Sequence, residues 1–132
     1  MLLRVIKYLK EANFGRFFEV GSVARGEKDA KDYDMIVVPN NRNLDEWVGV
    51  LKKLRNCYVN GKQVDPQIIP DFNPDKIDKN KKYSRYVYSE ENPNKELYEN
   101  VGNKLWKKTT SLVNRKHKLK GIDKVPYIQK EL

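Results

Sequence analysis

The sequence predicts an α/β (α+β) domain built on a mixed β-sheet of about four strands flanked by helices. Two segments, 2–13 and 44–55, repeat apolar residues with the helical period. Four short runs rich in aromatic and β-branched residues, near 16–20, 32–38, 63–69 and 83–89, read as strands interleaved with them. The 132 residues amount to one domain, which buries roughly two-thirds of its unfolded surface, and no linker or internal repeat divides them.

The elements follow in order. Leu2, Val5, Ile6 and Leu9 recur at i, i+3, i+4 and i+7, so 2–13 is expected as an amphipathic helix stopped by Gly15. Arg16–Val20 is a short buried strand broken by Gly21, and Asp32–Val38 is a second, stopped by Pro39. Asn43 caps a helix over 44–55, with Asp45 and Glu46 in its first turn and an apolar stripe of Leu44, Trp47, Val48, Leu51 and Leu54. Asn60-Gly61 is a turn, and Gln63–Ile69 is a third strand that Pro66 assigns to a sheet edge or a bulge. Residues 70–82 form a polar loop and Tyr83–Ser89 a fourth strand, closed by Asn92-Pro93. Leu97, Val101, Leu105 and Leu112 suggest a last helix over about 95–113, although Gly102 opposes it, and a basic tail follows over 114–120. The whole reads as a single domain over 1–132, with a core over about 1–90 and the C-terminal helix and tail over about 94–132.

Composition narrows the function classes. A lone Cys57 excludes an internal disulfide framework, and one cysteine with one histidine excludes a Cys/His metal cluster. The apolar N-terminus is interrupted by Arg4, Lys7 and Lys10, too often for a signal-peptide core or a membrane span. The expectation is a soluble, cytoplasmic protein that makes no membrane contact. Net charge is +9, from 27 basic and 18 acidic side chains, and mean hydropathy is −0.83. That surplus suits a polyanionic partner, and equally describes a well-solvated surface.

The chemistry concentrates in VGSVARGEKDAKDYDMIVV, residues 20–38. Gly21 lets the backbone turn and approach a ligand without a Cβ in the way. Ser22 offers a hydroxyl, Arg25 a guanidinium that forks onto phosphate oxygens, and a helical turn over 22–26 would aim free N–H groups at one anion. Asp32 and Asp34, two apart on a strand, leave the same face. Two carboxylates that close repel, and a divalent cation relieves the repulsion while supplying Lewis-acid chemistry; hard oxygen donors suit Mg²⁺ or Mn²⁺. A phosphate cradle beside paired carboxylates is equipment for transferring a nucleotidyl group.

This stretch resembles the active-site motif of the DNA polymerase β-like nucleotidyltransferase superfamily, a Gly-Ser loop followed by Asp-x-Asp on the next strand. Arg25-Gly26 matches the Ala-Arg-Gly form of its small, minimal members. The resemblance covers 16–38 closely and 63–69 loosely. It implies a nucleotidyltransferase-like fold and Mg²⁺-dependent (or Mn²⁺-dependent) transfer of a nucleoside monophosphate from an NTP, ATP first among them, to an acceptor hydroxyl. Pyrophosphate is released. It further implies that Gly21, Ser22 and Arg25 bind the nucleotide and that Asp32 and Asp34 are catalytic metal ligands. Asp65 in QVDPQII would be the third carboxylate, positioning a metal or taking the acceptor proton; Pro66 after it departs from the pattern. Minimal members are often encoded beside a helical partner protein that they modify with AMP, whereas larger ones extend nucleic acid or adenylylate small molecules. The expected partners are therefore an NTP and, as acceptor, nucleic acid or an acidic or helical protein.

Ordinary explanations compete residue by residue. Asp65 alone reads as an Asp-Pro turn, His117 as a solvated member of a basic run, and Cys57 as a core residue. Tyr83, Tyr86 and Tyr88 around Arg85 read as an alternating strand more readily than as base-stacking platforms, while Lys81, Lys82, Arg85 and 115–120 make an electrostatic track for a polyanion. A module of the same fold that binds nucleotide or nucleic acid without turnover is the alternative to an enzyme.

Overall fold

The computed structural model of the chain describes residues 1–89, 97–101, 104–108, 111–123 and 127–132. Their elements run α1 (Leu2–Glu11), β1 (Gly15–Glu19), α2 (Gly21–Ala24), β2 (Tyr33–Pro39), α3 (Leu44–Arg55), β3 (Tyr58–Val59), β4 (Lys62–Ile68), β5 (Tyr83–Tyr88), β6 (Leu97–Val101), β7 (Lys104–Lys108), β8 (Leu112–His117) and β9 (Lys130–Glu131). Helix α1 stops earlier than expected. Asn13, not Gly15, breaks it by taking a left-handed φ of 55°, which asparagine tolerates, and the Phe14 amide returns to the Leu9 carbonyl at 2.9 Å. Asn43 caps α3, its side chain accepting from the Glu46 amide at 3.2 Å. The stripe of α3 is turned slightly from the expected one: Trp47, Val50, Leu51 and Leu54 are buried, while Leu44 is exposed.

The main sheet has seven strands in the order β8-β5-β4-β2-β1-β9, with β3 added to β4. Only β2 and β4, joined through α3, run parallel; every other pair is antiparallel. Strands β6 and β7 form a separate antiparallel pair. The expected sheet of about four strands is thus too small, and the expected helix over 95–113 is not formed, since its described residues are strands β6, β7 and the start of β8. The supposed basic tail is β8 and the loop after it. The last residues return to the sheet: β9 pairs with β1, the Leu132 amide donates to the Phe17 carbonyl at 2.9 Å, and Arg16 forks onto Glu131 at 2.6 and 2.8 Å.

Strand β4 lies inside the sheet, which corrects the edge assignment. Pro66 is accommodated because pairing with β5 begins only at Ile68↔Tyr86, so no ladder partner faces the missing N–H. Arg55 donates to the Tyr88 carbonyl at 3.0 Å along the same open stretch.

Alternation along the strands gives the sheet two apolar faces. One packs Phe17, Tyr33, Met35, Val37, Val64 and Ile68 against Leu2, Ile6 and Leu9 of α1 and the buried residues of α3, with Cys57 also buried there. Tyr86 packs on this side, its ring edge-on to Trp47 at 5.1 Å. The other face packs Phe18, Val20, Ile36 and Tyr83 against Ile69, just after β4, Phe72 of the 70–82 loop, and Leu119 and Ile122 of the C-terminal segment. That second cover is incomplete, and the uncovered part of the face is the cavity described next.

Candidate functional site

Four strands lay an open cavity of about 270 Å³ across the second face of the sheet. Its floor carries Asp34 from β2, Asp65 and Gln67 from β4, Arg85 and Val87 from β5, and Arg115 and His117 from β8. One wall is Gly21, Ser22 and Arg25; the other is Leu119, Lys120 and Tyr127. Its volume is close to the lower end of small-molecule sites, about 300 Å³.

The first wall follows from a short connection. The Val20 amide donates to the Asp34 carbonyl at 3.0 Å, tying the end of β1 to the start of β2. The chain then turns through Gly21 at φ +74°, and a Cβ built there would collide with Asp34 Oδ2. Glycine is required twice, for its backbone and for the space the carboxylate occupies. Arg25 donates to Ser22 Oγ at 3.3 Å and pairs loosely with Glu27 at 3.4 Å, which keeps its guanidinium at the mouth. The C-terminal segment closes on it: a Cβ at Gly121 would lie 3.0 Å from Arg25 Nη1.

Asp34 and Asp65 are direct neighbours in the parallel register, so their side chains stand side by side on one face, about 4.8 Å apart at the backbone. Burial first, and the charge of Asp65 second, push the Asp34 carboxyl up to about 6, against the pull of Lys120 and Arg25. Asp65 is pushed up too, by the poorly hydrated concave floor and then by Asp32, although its side chain reaches solvent; Arg55 and Lys120 oppose the rise. Asp32 sits one residue before β2, exposed and outside the cavity lining. Its charge still acts on both other carboxylates.

Of the residues singled out from the sequence, Gly21, Ser22, Arg25, Asp34 and Asp65 therefore meet in one cavity, and Asp32 stands at its margin. Among the described residues no three carboxylate, imidazole or thiol groups gather closely enough to hold an ion by themselves. Mg²⁺ is ordinarily bound by one or two carboxylates completed by substrate phosphates and water, so Asp34 and Asp65 are a fitting donor pair. Tyr127 and Gln67 were not singled out, and Lys120 was read only as part of the basic run 115–120. Tyr127 is placed by packing on Phe72, with ring centroids 6.4 Å apart, while Gln129 donates to the Pro74 carbonyl at 3.0 Å beside it. The sequence holds no local signal for Tyr127, because long-range packing brings it in. Arg85 carried a signal on a strand that was expected, whereas Arg115 and His117 sit on a strand that was read as a tail.

Among the described residues no helix is long and apolar enough to cross a membrane. No family model, curated protein or solved structure matches the chain.

Proposed function

We propose that the chain is a metal-dependent nucleotidyltransferase of the DNA polymerase β-like kind, transferring a nucleoside monophosphate from an NTP to an acceptor hydroxyl. The observation that carries the reading is the placement of Asp34 and Asp65 side by side on parallel strands, with Gly21 pressed against Asp34. The spacing of Gly21-Ser22, Arg25-Gly26 and Asp32-Tyr33-Asp34 supports it.

In this reading Ser22 and Arg25 hold the triphosphate beside the turn at Gly21. Asp34 and Asp65, with Asp32 adding negative charge from the margin, hold Mg²⁺ or Mn²⁺, which when bound neutralises charge on the phosphates. The acceptor oxygen bonds to the α-phosphorus as the bond to the bridging oxygen breaks and pyrophosphate leaves. Asp65, on the cavity floor and open to solvent, takes the acceptor proton.

The test supplies α-labelled NTPs with Mg²⁺ or Mn²⁺ and mixed nucleic-acid, protein and small-molecule acceptors. Wild type is expected to label one acceptor class, and Asp34→Asn to lower the rate at least about 10³-fold, the several kcal/mol a metal clamp contributes, with circular dichroism unchanged. Equal labelling by Asp34→Asn would refute the mechanism. Metal-dependent NTP binding without labelling of any acceptor would favour the non-catalytic module.

A further inference from the structure

The cavity has a second cationic side that the transfer of a nucleotide does not use. Arg85 and Arg115 are direct partners across β5 and β8, and His117 follows on the same face of β8. Lys120 extends the group at the cavity wall. Strand β8 is three strands from β2, roughly 14 Å at the ordinary interstrand spacing. Arg85 and Arg115 therefore stand on the cavity's far strands, while Lys120, beside Gly121 against Arg25, stands between the two groups.

Arg85 shows that they await an anion. Its Nη2 donates to the Lys118 carbonyl, but its Nε is buried with no partner. Burial lowers the Arg85 guanidinium, as expected of a cation short of acceptors.

Much of the group comes from one stretch of chain. From Asn114 to Gly121 the chain carries Arg115, Lys116, Lys118 and Lys120 with no acidic residue. Arg115 and His117, two apart on an edge strand, both line the cavity and remain open to solvent. A lysine on an edge strand also discourages pairing with another sheet, which accounts for Lys116. It does not account for Arg85, which lies on an interior strand with its donor turned into the fold. A row of cations matches a row of phosphates, as in grooves that track single-stranded nucleic acid.

We propose that Arg85, Arg115, His117 and Lys120 form a phosphodiester-binding track for a single-stranded polynucleotide, whose terminal hydroxyl is thereby brought to Asp65. The track as a binding site stands on its own residues; the role of its ligand as acceptor rests on the function proposed above.

The experiment measures anisotropy of a fluorescein-labelled twelve-nucleotide oligouridylate in EDTA without NTP. Alongside it, calorimetry follows a non-hydrolysable NTP analogue with Mg²⁺. Three contacts predict that log affinity falls against log salt with a slope of about −2, at roughly 0.7 per single-strand phosphate. Arg115→Ala, at an exposed position, should weaken the oligonucleotide about tenfold and reduce the slope by about 0.7, while analogue affinity stays within about twofold. Lys7→Ala removes the same charge from exposed α1 on the opposite face and should change oligonucleotide binding less than about twofold. Equal weakening by Arg115→Ala and Lys7→Ala would reduce the effect to bulk charge and overturn the track. Equal loss of analogue and oligonucleotide in Arg115→Ala would also overturn it, since Arg115 would then belong to the nucleotide side. Because binding is read without metal or NTP, failure of nucleotidyl transfer leaves this result standing. Labelling of another acceptor with no oligonucleotide bound would overturn the track alone.

Discussion

At Asp34, burial and the neighbouring carboxylate of Asp65 act in the same direction, holding the proton on up to about pH 6. An unfolded aspartate titrates near 3.9, so the folded state binds the proton more tightly. The stability this contributes is fully present below about pH 4 and is lost as pH rises through about 6. The metal-free protein should accordingly gain thermal stability between pH 7.5 and 5, by about 1 kcal/mol from Asp34 after allowing for its partial exposure. Asp34→Asn should flatten that gain and melt a few degrees higher than wild type at pH 7.5 in EDTA. Melting curves across pH check this, and an unchanged pH dependence in Asp34→Asn would contradict it. Gly21 faces the same carboxylate from above. Gly21→Ala combines a strained backbone at φ +74° with a collision against Asp34, so it should cost about 2–4 kcal/mol in urea unfolding. A loss under about 0.5 kcal/mol would show that the turn and the carboxylate are not locked together.

At the scale of elements, the N-terminal half was legible because its signals are local. The heptad-like stripe of α1, the Asn43 cap of α3 and the apolar runs of β1, β2 and β4 each encode themselves within a few residues. The stretch from 95 onward was misread because Leu97, Val101, Leu105 and Leu112 fit a helical period by coincidence. Better signals lay beside them: Val101 pairs with Lys104, and the sequence between is Gly102-Asn103, a dipeptide favouring a two-residue hairpin connection. Pro66 misled for a different reason, since the gap in the β5 ladder that admits it is a tertiary feature. In the site, Gly21, Ser22, Arg25 and Asp34 were readable from type and spacing, Asp65 only through the resemblance and Lys120 only as part of a basic run, whereas Tyr127 is delivered by a segment with no periodicity. That segment is held by packing on the second face. Phe72, buried and edge-on to Phe18 at 5.2 Å, is its anchor, and Phe72→Ala should cost about 3–5 kcal/mol in urea unfolding. A cost below about 1 kcal/mol would mean the second face is not a true core.

Across the whole molecule, the two sheet faces divide the labour. The face under α1 and α3 is apolar throughout and fixes the register of β2 against β4; a slip of one residue would send Asp34 and Asp65 into that core. The opposite face spends part of its area on the cavity and arranges charge in order across the strands, carboxylates on β2 and β4, cations on β5 and β8. The surplus of +9 is thus partly organised around one site rather than spread for solvation alone. The proposed transfer reaction depends on the pair at Asp34 and Asp65 holding a divalent cation together with nucleotide. Electron paramagnetic resonance of Mn²⁺ with a non-hydrolysable NTP analogue reads this directly and needs no acceptor. The account predicts protein-bound Mn²⁺ that requires the analogue in wild type and is lost in Asp34→Asn/Asp65→Asn with the fold preserved. Analogue-dependent Mn²⁺ binding that survives in the double variant would contradict it.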